Sequence, residues 1–68
     1  MNHDVLGDLA AWLRKNPGHR VVIVVADDGH AYVDLDQAQT GYLYYGIASA
    51  GGPTLESALW ALLEEVAP

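Results

Sequence analysis

The sequence predicts an α+β fold, a two-layer sandwich in which two helices cover the same face of a three-stranded antiparallel sheet (αβββα). Two observations favour it. Hydrophobic residues recur at helical spacing near both ends of the chain, and between them lie β-branched and alternating segments separated by turn residues. A chain of 68 residues has apolar side chains for only one core, so we expect residues 1–68 to form a single compact domain.

The predicted helices run near residues 3–15 and 54–66. Asn2 or Asp4 suits the start of the first helix, and the segment 16–18 ends it. Thr54 suits the start of the second, because its hydroxyl can accept from an amide two or three residues later. Each helix carries one apolar stripe, formed by Val5, Leu6, Leu9, Trp12 and Leu13 in the first and by Leu55, Ala58, Leu59, Leu62 and Val66 in the second.

Three strands are predicted near residues 20–26, 31–36 and 41–47. The β-branched run 21–25 is typical of a strand with apolar surroundings on both faces, so we expect it to be the best-buried strand. Residues 27–29 form the first turn, residues 37–41 form a polar connection, and residues 49–53 form a turn before the last helix. Gly46 is expected to mark a bulge. The expected core residues are Leu9, Ile23, Val33, Leu43, Leu59 and Leu62.

The chain is strongly acidic, with nine Asp and Glu against three Lys and Arg and a net charge of -6. Such a surplus steers a small domain toward cationic surfaces. The chain has no cysteine, which excludes disulfides and thiolate metal sites. No apolar run approaches the ~20 residues of a membrane span, and residues 1–4 lack the basic region of a signal peptide, so we expect a cytoplasmic protein without membrane contact.

Alternation along the second and third strands predicts an acidic and aromatic sheet face opposite the helices. Its residues are Tyr32, Asp34, Asp36, Tyr42 and Tyr44. Tyrosine is favoured at interfaces, which indicates a partner-binding surface, although an ordinary solvated face with cross-strand tyrosine pairs remains the alternative.

Two further acidic clusters are candidate partner contacts. One is Asp27 and Asp28 at the hairpin tip, for which turn geometry alone is the alternative explanation. The other is Glu56, Glu64 and Glu65 on the last helix, where glutamates commonly serve solubility alone. Trp12 and Trp60 lie at the edges of their helical stripes, where we expect the rim of the core, with a partner contact as the alternative.

The sequence indicates no catalytic site. Asp34 and Asp36 place two carboxylates on one strand face, about 6–7 Å apart. However, His3, His19 and His30 have no fixed structural spacing from them. We therefore expect no enzymatic activity, no metal site and no cofactor.

The stretch Gly52-Pro53-Thr54-Leu55-Glu56-Ser57-Ala58-Leu59 resembles the Gly-x-Thr-x-Glu-Glu-Ala-Leu pattern of HicB-type antitoxin domains, and the order helix, three antiparallel strands, helix resembles double-stranded-RNA-binding-like folds. RNA-binding members carry a basic loop and a Lys-rich start to the second helix. Here that helix starts with Thr54-Leu55-Glu56 and contains no Lys or Arg, so we expect no direct nucleic-acid binding.

In size, charge and lack of cysteine the chain is also similar to small acidic phage proteins, in particular anti-CRISPR proteins that inhibit multi-subunit effector complexes. That resemblance implies a non-enzymatic inhibitor whose carboxylates occupy a Lys and Arg groove that otherwise holds phosphates. The partner would be a basic nucleic-acid-binding protein or effector complex, and access to DNA would be blocked. The alternative is a HicB-like partial antitoxin, without the appended DNA-binding module, that caps a toxin by its sheet face or an edge strand. A homodimer through the open sheet face is a further expectation.

Overall fold

The computed structural model describes residues 4–66 and has the predicted order of elements, αβββα. The elements are α1 (Val5–Lys15), β1 (His19–Val25), β2 (Ala31–Thr40), β3 (Leu43–Gly52) and α2 (Leu55–Val66). The strands form one antiparallel sheet in the order β1-β2-β3, so β2 is the central strand. The α+β fold is therefore confirmed.

The core is a single cluster between the helices and one side of β2. Ala31, Val33 and Leu35 alternate along β2 and are buried, which places their side chains on the same face of the sheet. Residues from both helices belong to the same cluster, in which α2 packs against β2 and β3, and α1 packs against α2. The helical members are Val5, Leu9, Ala58, Leu59, Leu62 and Leu63. The expected burial of Leu9, Val33, Leu59 and Leu62 is thus confirmed.

The expectation that β1 is the best-buried strand is wrong. Ile23, expected in the core, has 41% of its surface exposed, and Val24 and Val25 have 56% and 54%. The reason is strand order: β1 is an edge strand, and α2 packs against β2 and β3 rather than against β1. In β1 only Val21, near its start, packs against the core cluster.

The second hairpin is longer than predicted. Residues 37–40 continue β2, residues 49–52 continue β3, and the turn between the strands is confined to residues 41–42. Leu43, expected in the core, has 64% of its surface exposed because it lies beside this turn, paired with Thr40 at the tip of the hairpin. Both segments were misassigned because their residues are polar or small, which is typical of loops but is also tolerated at the exposed end of a ladder.

A bulge divides β3, as Gly46 predicted. Leu35 pairs with Ala48, whereas its neighbour Asp36 pairs with Gly46, so Ile47 is the extra residue in β3. A second irregularity lies nearer the turn, between Ala38 and Thr40. The β1-β2 pairing, in contrast, is continuous from His19 to Val25. The two edges of the sheet therefore differ in regularity.

The two helices begin differently. Asp4 is the N-cap residue of α1 but makes no side-chain cap hydrogen bond, and Asn2 lies outside the described residues. At α2 the Ser57 amide donates to Thr54 Oγ1 at 3.1 Å, and the Thr54 amide donates to Ser57 Oγ at 3.2 Å. This reciprocal pair has the geometry of a capping box in which serine replaces the usual glutamate. The expected capping role of Thr54 is confirmed.

Truncation of a fully buried helix residue should destabilise this small core strongly. Leu59→Ala is expected to lower the free energy of unfolding by roughly 2–5 kcal/mol, because it removes buried methyl groups and leaves a cavity. Leu43→Ala is the matched control and should change it by about 0.5 kcal/mol or less, since that side chain is largely in solvent. Urea denaturation followed by circular dichroism measures both; equal losses would contradict this account of the core.

Loss of the cap should weaken α2. Thr54→Ala is expected to cost about 1 kcal/mol of unfolding free energy, because the Ser57 amide loses its acceptor. Thr54→Ser keeps a hydroxyl and should retain most of the stability. A Thr54→Ala variant that melts at the temperature of the natural protein would show that the cap contributes nothing.

Candidate protein-binding face of the sheet

The candidate site is the side of the sheet that the helices leave uncovered. Residues directly opposite each other on neighbouring strands share a face, so the register assigns this side row by row. The first row is Val24, Tyr32 and Gly51, the second is Val22, Asp34 and Ser49, and the third is Arg20, Asp36 and Gly46; Tyr44 follows opposite Ala38. We call these residues the open face.

Four of the five residues predicted for this face are there, and one is not. Tyr32, Asp34, Asp36 and Tyr44 lie on the open face, as the alternation predicted. Tyr42 lies in the turn between β2 and β3 with 98% of its surface exposed, so its predicted position on the strand was wrong. The turn starts later than the polar residues 37–41 indicated, and it therefore includes Tyr42.

Arg20 organises one end of the open face, and sequence reasoning did not identify it. Its Nε donates to Asp36 Oδ2 at 3.1 Å, and its guanidinium lies 4.0 Å from the centre of the Tyr44 ring. The Asp36 side chain is only 13% exposed, whereas that of Arg20 is 53% exposed. The positive charge of Arg20 therefore offsets the negative charge of Asp36. Only the register, in which Arg20 faces Asp36, could have revealed this pairing.

Asp34 is the unpaired carboxylate of the open face. Its register neighbours are Val22 on β1 and Ser49 on β3, and it makes no side-chain hydrogen bond or ion pair within residues 4–66. The residue is partly buried. A carboxylate in this position keeps its full capacity to accept hydrogen bonds from a guanidinium or ammonium group.

An apolar strip borders Asp34. Tyr32 has 48% of its surface exposed, and Val22 and Val24 on β1 have 39% and 56%. Gly51 lies opposite Tyr32, and a Cβ atom there would be 3.6 Å from Tyr32 Cδ2, so the ring lies beside the glycine backbone. Asp34 is thus flanked by aromatic and aliphatic surface, which suits the alkyl stem of a Lys or Arg side chain.

The other predicted acidic residues lie apart from the open face. In the β1-β2 turn, Asp28 Oδ1 accepts from the His30 amide and Asp28 Oδ2 lies close to His30 Nδ1, both at 3.0 Å. These contacts, together with a φ of 94° at Gly29, account for the turn. Three glutamates lie on α2, Glu56 in its first turn and Glu64 and Glu65 in its last, where there is no basic residue. The ten predicted site residues therefore form separate groups rather than one surface.

The two tryptophans line a groove on the helix layer. Both are partly buried and pack against the core cluster, in agreement with the expected position at its rim. The groove has a volume of about 330 Å³ and is lined by Asp8, Ala11, Trp12, Lys15, Trp60 and Leu63.

Within residues 4–66, no group of three or more His, Asp or Glu side chains gathers closely enough to hold a metal ion. No helix in the same part of the chain is both long and apolar enough to cross a bilayer.

Comparisons with models of protein families, with curated proteins and with solved structures gave no match to this chain.

The contribution of the contact between Arg20 and Asp36 to the free energy of unfolding should be measurable but small. A double-mutant cycle with Arg20→Ala and Asp36→Asn is expected to give a coupling of about 0.2–1 kcal/mol, because Arg20 is half exposed and solvent screens the pair. Thermal or urea unfolding of the four proteins measures it. A coupling indistinguishable from zero would mean that the ion pair does not order this end of the open face.

Proposed function

We propose that this protein is a non-enzymatic inhibitor that docks its open face on a basic surface of a nucleic-acid-binding protein and blocks access to DNA. Phage-encoded anti-CRISPR proteins act on multi-subunit effector complexes in this general manner, and we infer the same class of role here. Asp34 is the central acceptor, and Tyr32, Val22 and Val24 supply the apolar contact around it.

One observation carries the proposal: the acidic surplus is left unpaired within the fold. All nine Asp and Glu lie within residues 4–66, and the only Lys or Arg that contacts one of them is Arg20, which pairs with Asp36. Asp28 contacts the imidazole of His30 as part of its turn. A chain with a net charge of -6 that pairs so few of its carboxylates retains a field that attracts cationic surfaces.

The carboxylates would act in two ways, by direct contact with the partner and by long-range attraction. Asp34 would accept directly from a guanidinium, in a contact partly shielded from water by Tyr32 and the valines of β1. Asp27 and Asp28 at the turn and Glu56, Glu64 and Glu65 on α2 are exposed, so they would mainly increase the rate of encounter. The size of the domain would exclude nucleic acid from the occupied groove.

A HicB-like antitoxin is the second candidate, and the exposed edge of β1 favours it. Four successive apolar residues of that strand are exposed, Val22, Ile23, Val24 and Val25. A toxin could be capped by pairing with this edge. In that case affinity would depend on shape and apolar contact, and it would respond weakly to salt.

Charge reversal at matched positions tests the proposal. An arginine-rich peptide serves as the probe for a basic surface, and its affinity is measured by titration at ~50 and ~500 mM salt. Asp34→Lys should weaken binding at least about tenfold, which corresponds to ~1.4 kcal/mol, whereas Glu64→Lys makes the same charge change on α2 and should weaken it by less than about threefold. During the titration, the largest changes in amide chemical shift should occur around Tyr32 and Asp34.

A second measurement addresses inhibition directly. The natural protein should displace labelled duplex DNA from a purified basic target, and Asp34→Lys should not. Circular dichroism checks that the Asp34→Lys and Glu64→Lys variants stay folded. If a folded Asp34→Lys protein bound the peptide fully, and binding were the same at both salt concentrations, the charge-based proposal would be wrong and capping by shape would replace it.

A further inference from the structure

The outer edge of β1 is an unpaired strand edge with a regular backbone. Within residues 4–66 its only sheet partner is β2, so one side of β1 has no strand beside it. The Ala26 amide donates to His30 O at 2.8 Å, and Gly18 O accepts from the Ala38 amide at 2.7 Å. Because the direction of the backbone amides and carbonyls alternates along a strand, those of Arg20, Val22 and Val24 also point toward β2. The amides and carbonyls of His19, Val21, Ile23 and Val25 therefore point outward.

The edge lacks the features that protect other sheet edges from pairing. Natural edge strands are blocked by lysine, proline, bulges or a covering element. From Val21 to Val25 the strand has no charge, no proline and no register shift. The opposite edge, β3, has a bulge at Ile47 and glycines at 46, 51 and 52. Only β1 offers a regular row of hydrogen-bonding groups flanked by apolar side chains.

We propose that a second copy of this chain pairs with β1, antiparallel and about a two-fold axis through Ile23, so that the two sheets become one of six strands. The inference does not depend on the proposed function. It uses the edge of β1 rather than the open face, and therefore leaves the open faces of both copies available.

The sequence of β1 complements itself in this register. Ile23 would face Ile23 of the second copy, and Val21 would face Val25 of the second copy, so the whole apolar run is matched. All these residues are ones whose backbone groups point outward, so each facing pair can exchange two hydrogen bonds. The two most exposed apolar residues of the strand, Val24 and Val25, would gain apolar neighbours.

Charge at the two ends of the strand supports the same pairing. The start of β1 carries His19 and Arg20, and the turn after it carries Asp27 and Asp28. An antiparallel partner centred on Ile23 brings the end of β1 that carries Arg20 next to the turn of the second copy that carries Asp27 and Asp28. A parallel partner would instead place like charges together. Charge complementarity thus favours a second, antiparallel copy of β1.

The oligomeric state is measured by light scattering and sedimentation equilibrium on the complete chain. The natural protein should have twice the mass of the chain at concentrations on the order of 100 μM, because a strand-edge interface is small and small interfaces bind weakly. Ile23→Lys should raise the dimer dissociation constant at least about tenfold, since two lysines would face each other across the axis. Ile47→Lys is the matched control on β3, because Ile47 is exposed to a similar degree, 44% against 41% for Ile23. That control should stay dimeric.

Two further variants keep the test decisive if Ile23→Lys fails to fold. Val25→Pro removes an amide that points outward and leaves the β1-β2 ladder intact, so it should give a folded monomer. Ile23→Cys introduces the only thiol in the chain and should form a covalent dimer with diamide as oxidant, whereas Ile47→Cys should not. A natural protein that stays monomeric near ~1 mM, a folded Val25→Pro dimer, or equal cross-linking of the two cysteine variants would each overturn the proposal.

Discussion

The packing of α2 against the inner side of β2 is the contact on which the rest of the molecule depends. Leu59 and Leu62 are fully buried in the same cluster as Val33 and Leu35, and these are the largest fully buried side chains of the fold. Since α2 packs against β2 and β3, it leaves most of β1 uncovered. The uncovered strand and the open face are both consequences of this one-sided packing.

Local patterns predicted the elements, and non-local packing determined which of them became buried. The period of the hydrophobic residues placed both helices closely, and the cap at Thr54 was predictable because it involves only residues within one turn. The exposure of Ile23 was not predictable in the same way. A β-branched run indicates a strand, but whether that strand lies at the centre or the edge of the sheet depends on strand order, which the run does not encode.

The same division applies to the candidate site. Alternation along β2 correctly placed Tyr32, Asp34 and Asp36 on one face, because period-two geometry is a property of the strand itself. The distinction between Asp34 and Asp36 required the register with β1, which brings Arg20 to one carboxylate and Val22 to the other. Two aspartates that look equivalent in the sequence therefore differ in charge balance, and only one of them is free to bind a cation.

The irregular register of β3 limits how far a sheet built on this molecule can extend. A strand that joins β1 is hydrogen-bonded along its length, whereas the bulge at Ile47 interrupts the ladder that a strand on the β3 side would need. The pairing proposed for β1 would therefore leave each copy without a second regular edge. Such an assembly would close at two chains, and it would avoid the open-ended growth into fibrils that two regular edges would permit.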